Sequence, residues 1–144
     1  MDPISRVRRA YGDACFACGP ANPIGLHLDD FRVEESGEVT ARFRPRPEYR
    51  GAGDTLHGGI AATALDEVLV WAGILTHGVV TVTGSLEIRY RRPLTVGDHW
   101  VEARGRVDER RGRRLVMSGS LWDAEGAAVE GRGLYLVSAE VDRL

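Results

Sequence analysis

Lysine is missing from this chain altogether, and its 19 basic residues are all arginine. That absence reads as a codon-composition bias with little functional content. It does make every cationic contact a guanidinium, a group suited to forked contacts with phosphate or carboxylate. An excess of either charge is missing too. The formal net charge is −2 with 28% charged residues, so no global field draws nucleic acid or a membrane surface. Cysteine is scarce, with two in the chain, too few for a disulfide scaffold. The first residues, MDPISRVRRAYGDACF, lack the apolar core of a signal peptide, so a reducing cytoplasm is the expected compartment. Residues 60–75 are apolar, but they read as too short for a membrane span and carry two acids. There are no internal repeats, low-complexity tracts or interdomain linkers. At 144 residues the chain reads as one domain, 1–144, large enough to bury a core.

What is there is organised around residues 56–76, LHGGIAATALDEVLVWAGILT. At helical spacing, Ile60, Ala64, Val68, Trp71 and Leu75 cover one side, while Ala61, Leu65, Leu69 and Ala72 cover another. A helix apolar nearly all round must be buried on most of its surface. Asp66 and Glu67 interrupt it, and a buried carboxylate is costly unless paired or solvated in a pocket. His77-Gly78 ends the helix in the usual way. The remaining segments read as a short helix at 3–12, a turn-rich loop CFACGPANPIGLHL, strands at 26–34 and 38–44, and a Pro/Gly loop at 45–55. Four strands follow the helix, near 79–91, 99–109, 113–123 and 128–140, with short polar connections that predict an antiparallel four-strand meander. The sum is an α+β domain, an antiparallel sheet of five to six strands curled around one long helix. One sheet cannot cover a helix apolar on every side, so a second subunit is expected to close it.

The candidate chemistry sits on that helix. Glycines at a helix start leave unpaired N–H groups near the positive dipole end, where a carbonyl can approach closely. Gly58-Gly59 therefore reads either as an oxyanion site or as a plain turn. Asp66 lies eight residues beyond Gly58, about 12 Å along one helix, too far for both to act on one carbonyl carbon. If both act in one reaction, they come from two subunits with antiparallel helices. Glu67 points about 100° away from Asp66 and is the competing acid, or an ion-pair or interface residue. Cys15 and Cys18 form a CxxC without a second pair, so zinc would need His27 or a second chain's cysteines; a reduced structural loop is the alternative. His77 and His99 read as turn or strand-start residues. Arginine clusters at Arg89, Arg91 and Arg92, and again in Glu109–Arg114, as solvated turns or as phosphate contacts.

HGGIAATALDE, the strand end EIRYRRPL and the preceding CFACGPANPIGLHL resemble the hotdog-fold acyl-CoA thioesterases of the PaaI-like group, within the 4-hydroxybenzoyl-CoA thioesterase superfamily. The resemblance covers about residues 15–138. It implies a homodimer, with a dimer of dimers as a further level, hydrolysing an acyl-CoA with no metal or redox cofactor. Asp66 matches the family's catalytic base or nucleophile, and Gly58 the glycine whose N–H polarises the thioester carbonyl. His57 matches the histidine that positions the carbonyl or the preceding loop, and Thr83 a hydroxyl that orients water. Gly59, Glu67, Asn22 and Tyr90 are expected around the substrate, with Arg91, Arg92, Arg111, Arg113 and Arg114 on the coenzyme A phosphates. Where some members carry Asn six residues before the histidine this chain has Gly51, and Asn22 is the candidate replacement. A non-catalytic acyl-CoA-binding protein and an enoyl-thioester hydratase are the alternative functions.

Overall fold

The computed structural model describes residues 1–144. A short helix α1 (Pro3–Tyr11) opens the chain, started by Asp2, whose carboxylate accepts from the Ser5 N–H. Strands β1 (Asp29–Val33) and β2 (Val39–Phe43) precede the central helix α2 (Gly58–His77), and β3 (Val79–Tyr90), β4 (Val101–Arg111), β5 (Arg114–Asp123) and β6 (Gly126–Glu140) follow it. The six strands form one antiparallel sheet in the order β1-β2-β4-β5-β6-β3. This is the hotdog arrangement, with α2 in the bend of the sheet.

Two expectations need correction. The first is the meander, because β3 does not pair with β4. It lies on the far edge of the sheet against β6, and only β4, β5 and β6 run as consecutive neighbours. The connection 91–100 has the length to cross, and it is tied beneath the loop before α2 by the Leu56 N–H donating to the Leu94 carbonyl at 2.8 Å. The second is the expectation that residues 60–75 are too short for a membrane span: the helix they belong to, α2, runs 20 residues and is long and apolar enough, by composition alone, to cross a membrane. Here that apolar surface lies under the sheet. Ala64, Leu65, Val68, Leu69 and Ala72 are completely buried in the main core.

The close approach of α2 has a specific cause. Gly105, Gly119 and Gly131 stand in register across β4, β5 and β6. A Cβ at Gly105 would come within 3.0 Å of Leu69 Cδ2 and 3.1 Å of the Val68 carbonyl; one at Gly131 would strike Leu65. This glycine row is a groove into which the helix settles.

The opposite face of α2 is partly covered by the chain itself. Trp71 and Ile74 join Val7 of α1, Cys18 of the turn-rich loop and Val141 of a C-terminal 3-10 turn in a second cluster. Phe31 stacks on Trp71, ring centroids 4.7 Å apart. The apolar rear face, which from sequence called for a second subunit, is therefore in part an intramolecular contact.

Candidate active site

Two elements bring the Asp66 carboxylate its partners. Asp66 is half-buried on α2 and faces the β3–β6 pair. Thr83 Oγ1 donates to Asp66 Oδ1 at 2.7 Å, and Tyr135 Oη donates to the same oxygen at 2.7 Å. Thr83 and Tyr135 are themselves cross-strand partners. The adjoining Gly84 is a β-bulge, the pairing stepping from Thr83↔Tyr135 to Ser85↔Leu134. The bulge changes the phase of the strand: Val79, Thr81 and Thr83 face the helix before it, and Leu86, Ile88 and Tyr90 after it. Thr83 thereby stays on the helix side with Asp66, and Tyr90 reaches the helix start.

Tyr135 has no exposed surface. Burial, reinforced by the Asp66 carboxylate, pushes its hydroxyl well above the ordinary tyrosine range, so it stays protonated and remains a donor. It was missed from sequence, yet a signal existed. Tyr135 occupies an inward position of a strand, and a buried tyrosine hydroxyl calls for a polar partner. With Oδ1 occupied twice, Asp66 Oδ2 accepts nothing from the chain.

The start of α2 is arranged differently from expectation. His57 is the N-cap, and its Nδ1 accepts from the Gly59 N–H at 2.9 Å, which puts the ring proton on Nε2. Gly59 is thus satisfied, while the Gly58 N–H donates to no group in the chain. Gly58 does not sit in the left-handed region, so glycine here provides open space rather than an unusual turn. Tyr90 Oη donates to the Gly58 carbonyl at 2.7 Å and fixes that first turn. Beside it lies a largely apolar cleft of about 330 Å³, lined by Leu56, Gly58, Ala61, Tyr90, Leu94 and Val129 and rimmed by Arg91 and Arg92. Gly58 and Asp66 lie on the one continuous helix, about 12 Å apart by its rise.

Glu67 faces away from Asp66, toward the turn-rich loop, where Cys15 Sγ lies 3.9 Å from its Oε2. Asn22 is spent within that same loop: Nδ2 donates to the Ala14 carbonyl and Oδ1 accepts from the Ile24 N–H, both at 3.1 Å. Gly51 packs directly on His57, its would-be Cβ 3.4 Å from His57 Cα.

The arginines divide. Arg92 is locked to Asp123, with Nη1–Oδ2 at 2.9 Å, and to the Gly126 carbonyl at 2.7 Å. That pair holds the Asp123 carboxyl below the usual range, chiefly through the hydrogen bond itself. Arg113 donates to the Val137 carbonyl at 2.9 Å, Arg111 pairs with Glu109 at 2.8 Å, and Arg91 with Glu130 at 3.1 Å. Arg114 pairs with no carboxylate. Arg91 docks opposite Ala128 and Arg113 opposite Val137, so the two clusters are about 30 Å apart along β6 and cannot meet within one chain.

A family model for the thioesterase superfamily matches residues 53–130, which contain all of α2 and the four-residue set His57, Gly58, Asp66 and Thr83. Among curated proteins the chain is 27% identical over 123 residues to the acyl-coenzyme A thioesterase THEM4 of Bos taurus, covering 84% of this chain and 50% of that one. The chain thus spans about half the length of the curated relative it matches. Among solved structures, a thioesterase superfamily protein, RHA08564, superposes with a TM-score of 0.78 at 26% identity, over 86% of this chain and 63% of the other. The PaaI protein of E. coli, from the phenylacetic acid degradation operon, superposes with a TM-score of 0.76 at 16% identity over 96% and 94%, a likeness of fold.

Proposed function

The chain belongs to the thioesterase superfamily, and from that premise we propose that it hydrolyses an acyl-CoA thioester at a site shared between two copies of itself. The observation that carries this reading is the state of the Asp66 carboxylate, with Oδ1 held by two hydroxyls and Oδ2 left open. Two donors on one oxygen fix the plane of the carboxylate and aim the other oxygen. As a base, Oδ2 takes a proton from water while the water oxygen bonds the thioester carbonyl carbon. As a nucleophile, Oδ2 bonds that carbon itself and water then releases the acid. Either route puts negative charge on the carbonyl oxygen, breaks the C–S bond and returns a proton to the departing thiolate. The charge needs donors in place beforehand, and the free Gly58 N–H at the positive end of α2 is such a donor. Tyr90 and the His57 cap hold its turn in position. One arm of the thioester lies in the apolar cleft beside Gly58. The reaction draws on no cofactor beyond the coenzyme A that the substrate carries.

The helix sets the quaternary requirement. One aspartate cannot bridge about 12 Å to a carbonyl held at Gly58, so each site combines Asp66 of one protomer with Gly58 of its partner. Thiol release over a panel of acyl-CoAs tests the activity, and Asp66→Asn should lower turnover at least about 10²-fold in a folded protein. Full activity in Asp66→Asn would end the reading. Binding without thiol release would favour a non-catalytic acyl-CoA-binding protein, and loss of enoyl absorbance without thiol a hydratase. Sharing is tested by mixing Asp66→Asn with Gly58→Val, each inactive alone. The heterodimer has one intact composite site and should approach half the wild-type activity. A verified, folded heterodimer that stays dead would place the oxyanion donor in the same chain as its Asp66.

A further inference from the structure

Glu67 is the one acid of α2 that the thioester chemistry does not use. It is half-buried, and no arginine pairs with it. Its nearest polar neighbours are the two cysteines of the turn-rich loop. The sulfurs of Cys15 and Cys18 and a carboxylate oxygen of Glu67 all lie within 4.8 Å of one another. Cys15 is exposed and Cys18 buried, so the cluster is open to solvent on the Cys15 side and closed behind.

We propose that Cys15, Cys18 and Glu67 form a binding site for a thiophilic divalent cation of the zinc class. Tetrahedral zinc, with Zn–S of about 2.3 Å and Zn–O of about 2.0 Å, places a sulfur and an oxygen ligand about 3.5 Å apart. The 3.9 Å between Cys15 Sγ and Glu67 Oε2 needs only a small closure to reach that figure. Two thiolates and a carboxylate are a donor set that favours zinc over magnesium or calcium. Binding displaces the thiol protons, and the carboxyl proton where Glu67 holds one, to solvent. The fourth position faces out beside Cys15 and takes a water.

Independent features around the cluster fit this reading. The Trp71 indole N–H is buried and reaches no conventional acceptor. Trp71 packs in one cluster with Cys18, and a metal thiolate there would give the indole an acceptor. Three anionic ligands on a dication leave one negative charge. Arg8 is next to it, its Nη2 donating to the Cys18 carbonyl at 3.3 Å and its Nε buried without a partner. Without a cation the same site is unfavourable for charge. Cys18 is buried and Glu67 half-buried with no cationic side chain paired to it, a costly place for uncompensated anions. The ion would staple the turn-rich loop to α2 one residue from Asp66, a structural role separate from the thioester reaction.

The test is cobalt(II), then zinc(II), titrated into the full-length, chelator-stripped protein under a phosphine reductant. The expected result is one cobalt per chain with an intense thiolate-to-cobalt band in the near ultraviolet, displaced by zinc. Loss of a partner behind a metal ligand already weakens binding about 10–100-fold, so Cys15→Ser should weaken it at least about 100-fold. Glu67→Gln should do the same; should it fail to fold, Cys15→Ser at an exposed position keeps the test intact. Zinc should also raise the Tm of the wild-type protein and leave that of Cys15→Ser unchanged. No thiolate band, or equal uptake by Cys15→Ser, would overturn the proposal. So would a Cys15–Cys18 disulfide as the native state, with no metal uptake after reduction.

Discussion

Tyr135→Phe is the sharpest probe of the candidate site. It removes one oxygen from a fully buried ring and keeps the ring's volume, so the core around it should stay packed. What disappears is the 2.7 Å hydrogen bond to Asp66 Oδ1, leaving that oxygen with Thr83 alone. A hydrogen bond to a charged group contributes about 1.5–3 kcal/mol. If that energy holds the carboxylate in its reactive orientation, its loss should lower kcat by about 10–100-fold. KM should scarcely move, because Tyr135 lies behind Asp66 and cannot touch substrate. The assay is steady-state thiol release at saturating and limiting acyl-CoA, with thermal melts as a control for folding.

The decisive comparison is made in the Asp66→Asn background. A residue that acts only through Asp66 has nothing left to position there, so adding Tyr135→Phe should change turnover by less than about twofold. Thr83→Val should behave in the same way. The double variant Tyr135→Phe/Thr83→Val should lose more than the product of the single losses, because each hydroxyl partly covers for the other on one oxygen. Undiminished kcat in Tyr135→Phe, or an equal loss with and without Asp66, would refute the positioning role.

Arg114→Gln and Arg91→Gln should raise KM for acyl-CoA and leave acyl-pantetheine unaffected, whereas Arg92→Gln should appear as lost thermal stability because its guanidinium is committed to Asp123; equal effects on both substrates would remove the nucleotide role. Gly119→Ala should destabilise by about 1–3 kcal/mol, read from the denaturant midpoint, because its Cβ would strike the Arg104 carbonyl of the neighbouring strand and would meet Leu69 Cδ2 of the helix at 3.0 Å; a change under about 0.5 kcal/mol would mean that the glycine row is not what seats the helix. For Glu67, raised by burial, the native state binds the proton more tightly than the unfolded chain. Stability of the metal-free protein should therefore fall as pH rises from about 4.3 through the higher folded pKa. Glu67→Gln should flatten that fall and raise the Tm at neutral pH, and a lower Tm there without metal would contradict the burial argument.

Local pattern carried the elements well and their pairing less well. The helix and all six strands are visible in periodicity and turn residues, and Gly78 ends α2 in the left-handed conformation expected of it. The strand order was not legible, because short connections favour neighbours and nothing in 91–100 announces a crossing to another position in the sheet. Spacing and resemblance single out Asp66, Gly58 and Thr83 as candidates, and the structure joins Thr83 to Asp66. Tyr135 is 69 residues from Asp66, and only the register of β3 on β6 brings it there. The same holds for Glu67 and Cys15, 52 residues apart in sequence and joined by the fold of one loop onto α2. Gly105, Gly119 and Gly131 look like three unrelated strand glycines until the ladder aligns them.

Two gaps within the single chain call for the same remedy. Along α2, the free Gly58 N–H is about 12 Å from Asp66. Along β6, the Arg91 end and the Arg113–Arg114 hairpin are about 30 Å apart. Gly58, Tyr90 and Arg91 share one end of the molecule, and the hairpin shares the other with the C-terminus of α2. In the dimer proposed above, a two-fold axis that sets two α2 helices antiparallel would carry the Gly58 end of one protomer to the Asp66 side of its partner. The same rotation would move one protomer's hairpin toward the partner's cleft and its Arg91 rim. One symmetry operation would thus narrow both gaps, although they arise from different elements. It also gives the two arginine groups distinct roles, since each site would draw Arg91 from one protomer and Arg114 from the other. The mixed dimer can test this directly. With Arg91→Gln in one protomer and Arg114→Gln in its partner, one composite site carries both lesions and the other neither. Such a heterodimer should show two classes of acyl-CoA site, one with wild-type KM. A single weakened class would mean that both arginines serve the same chain's site, which the separation along β6 forbids.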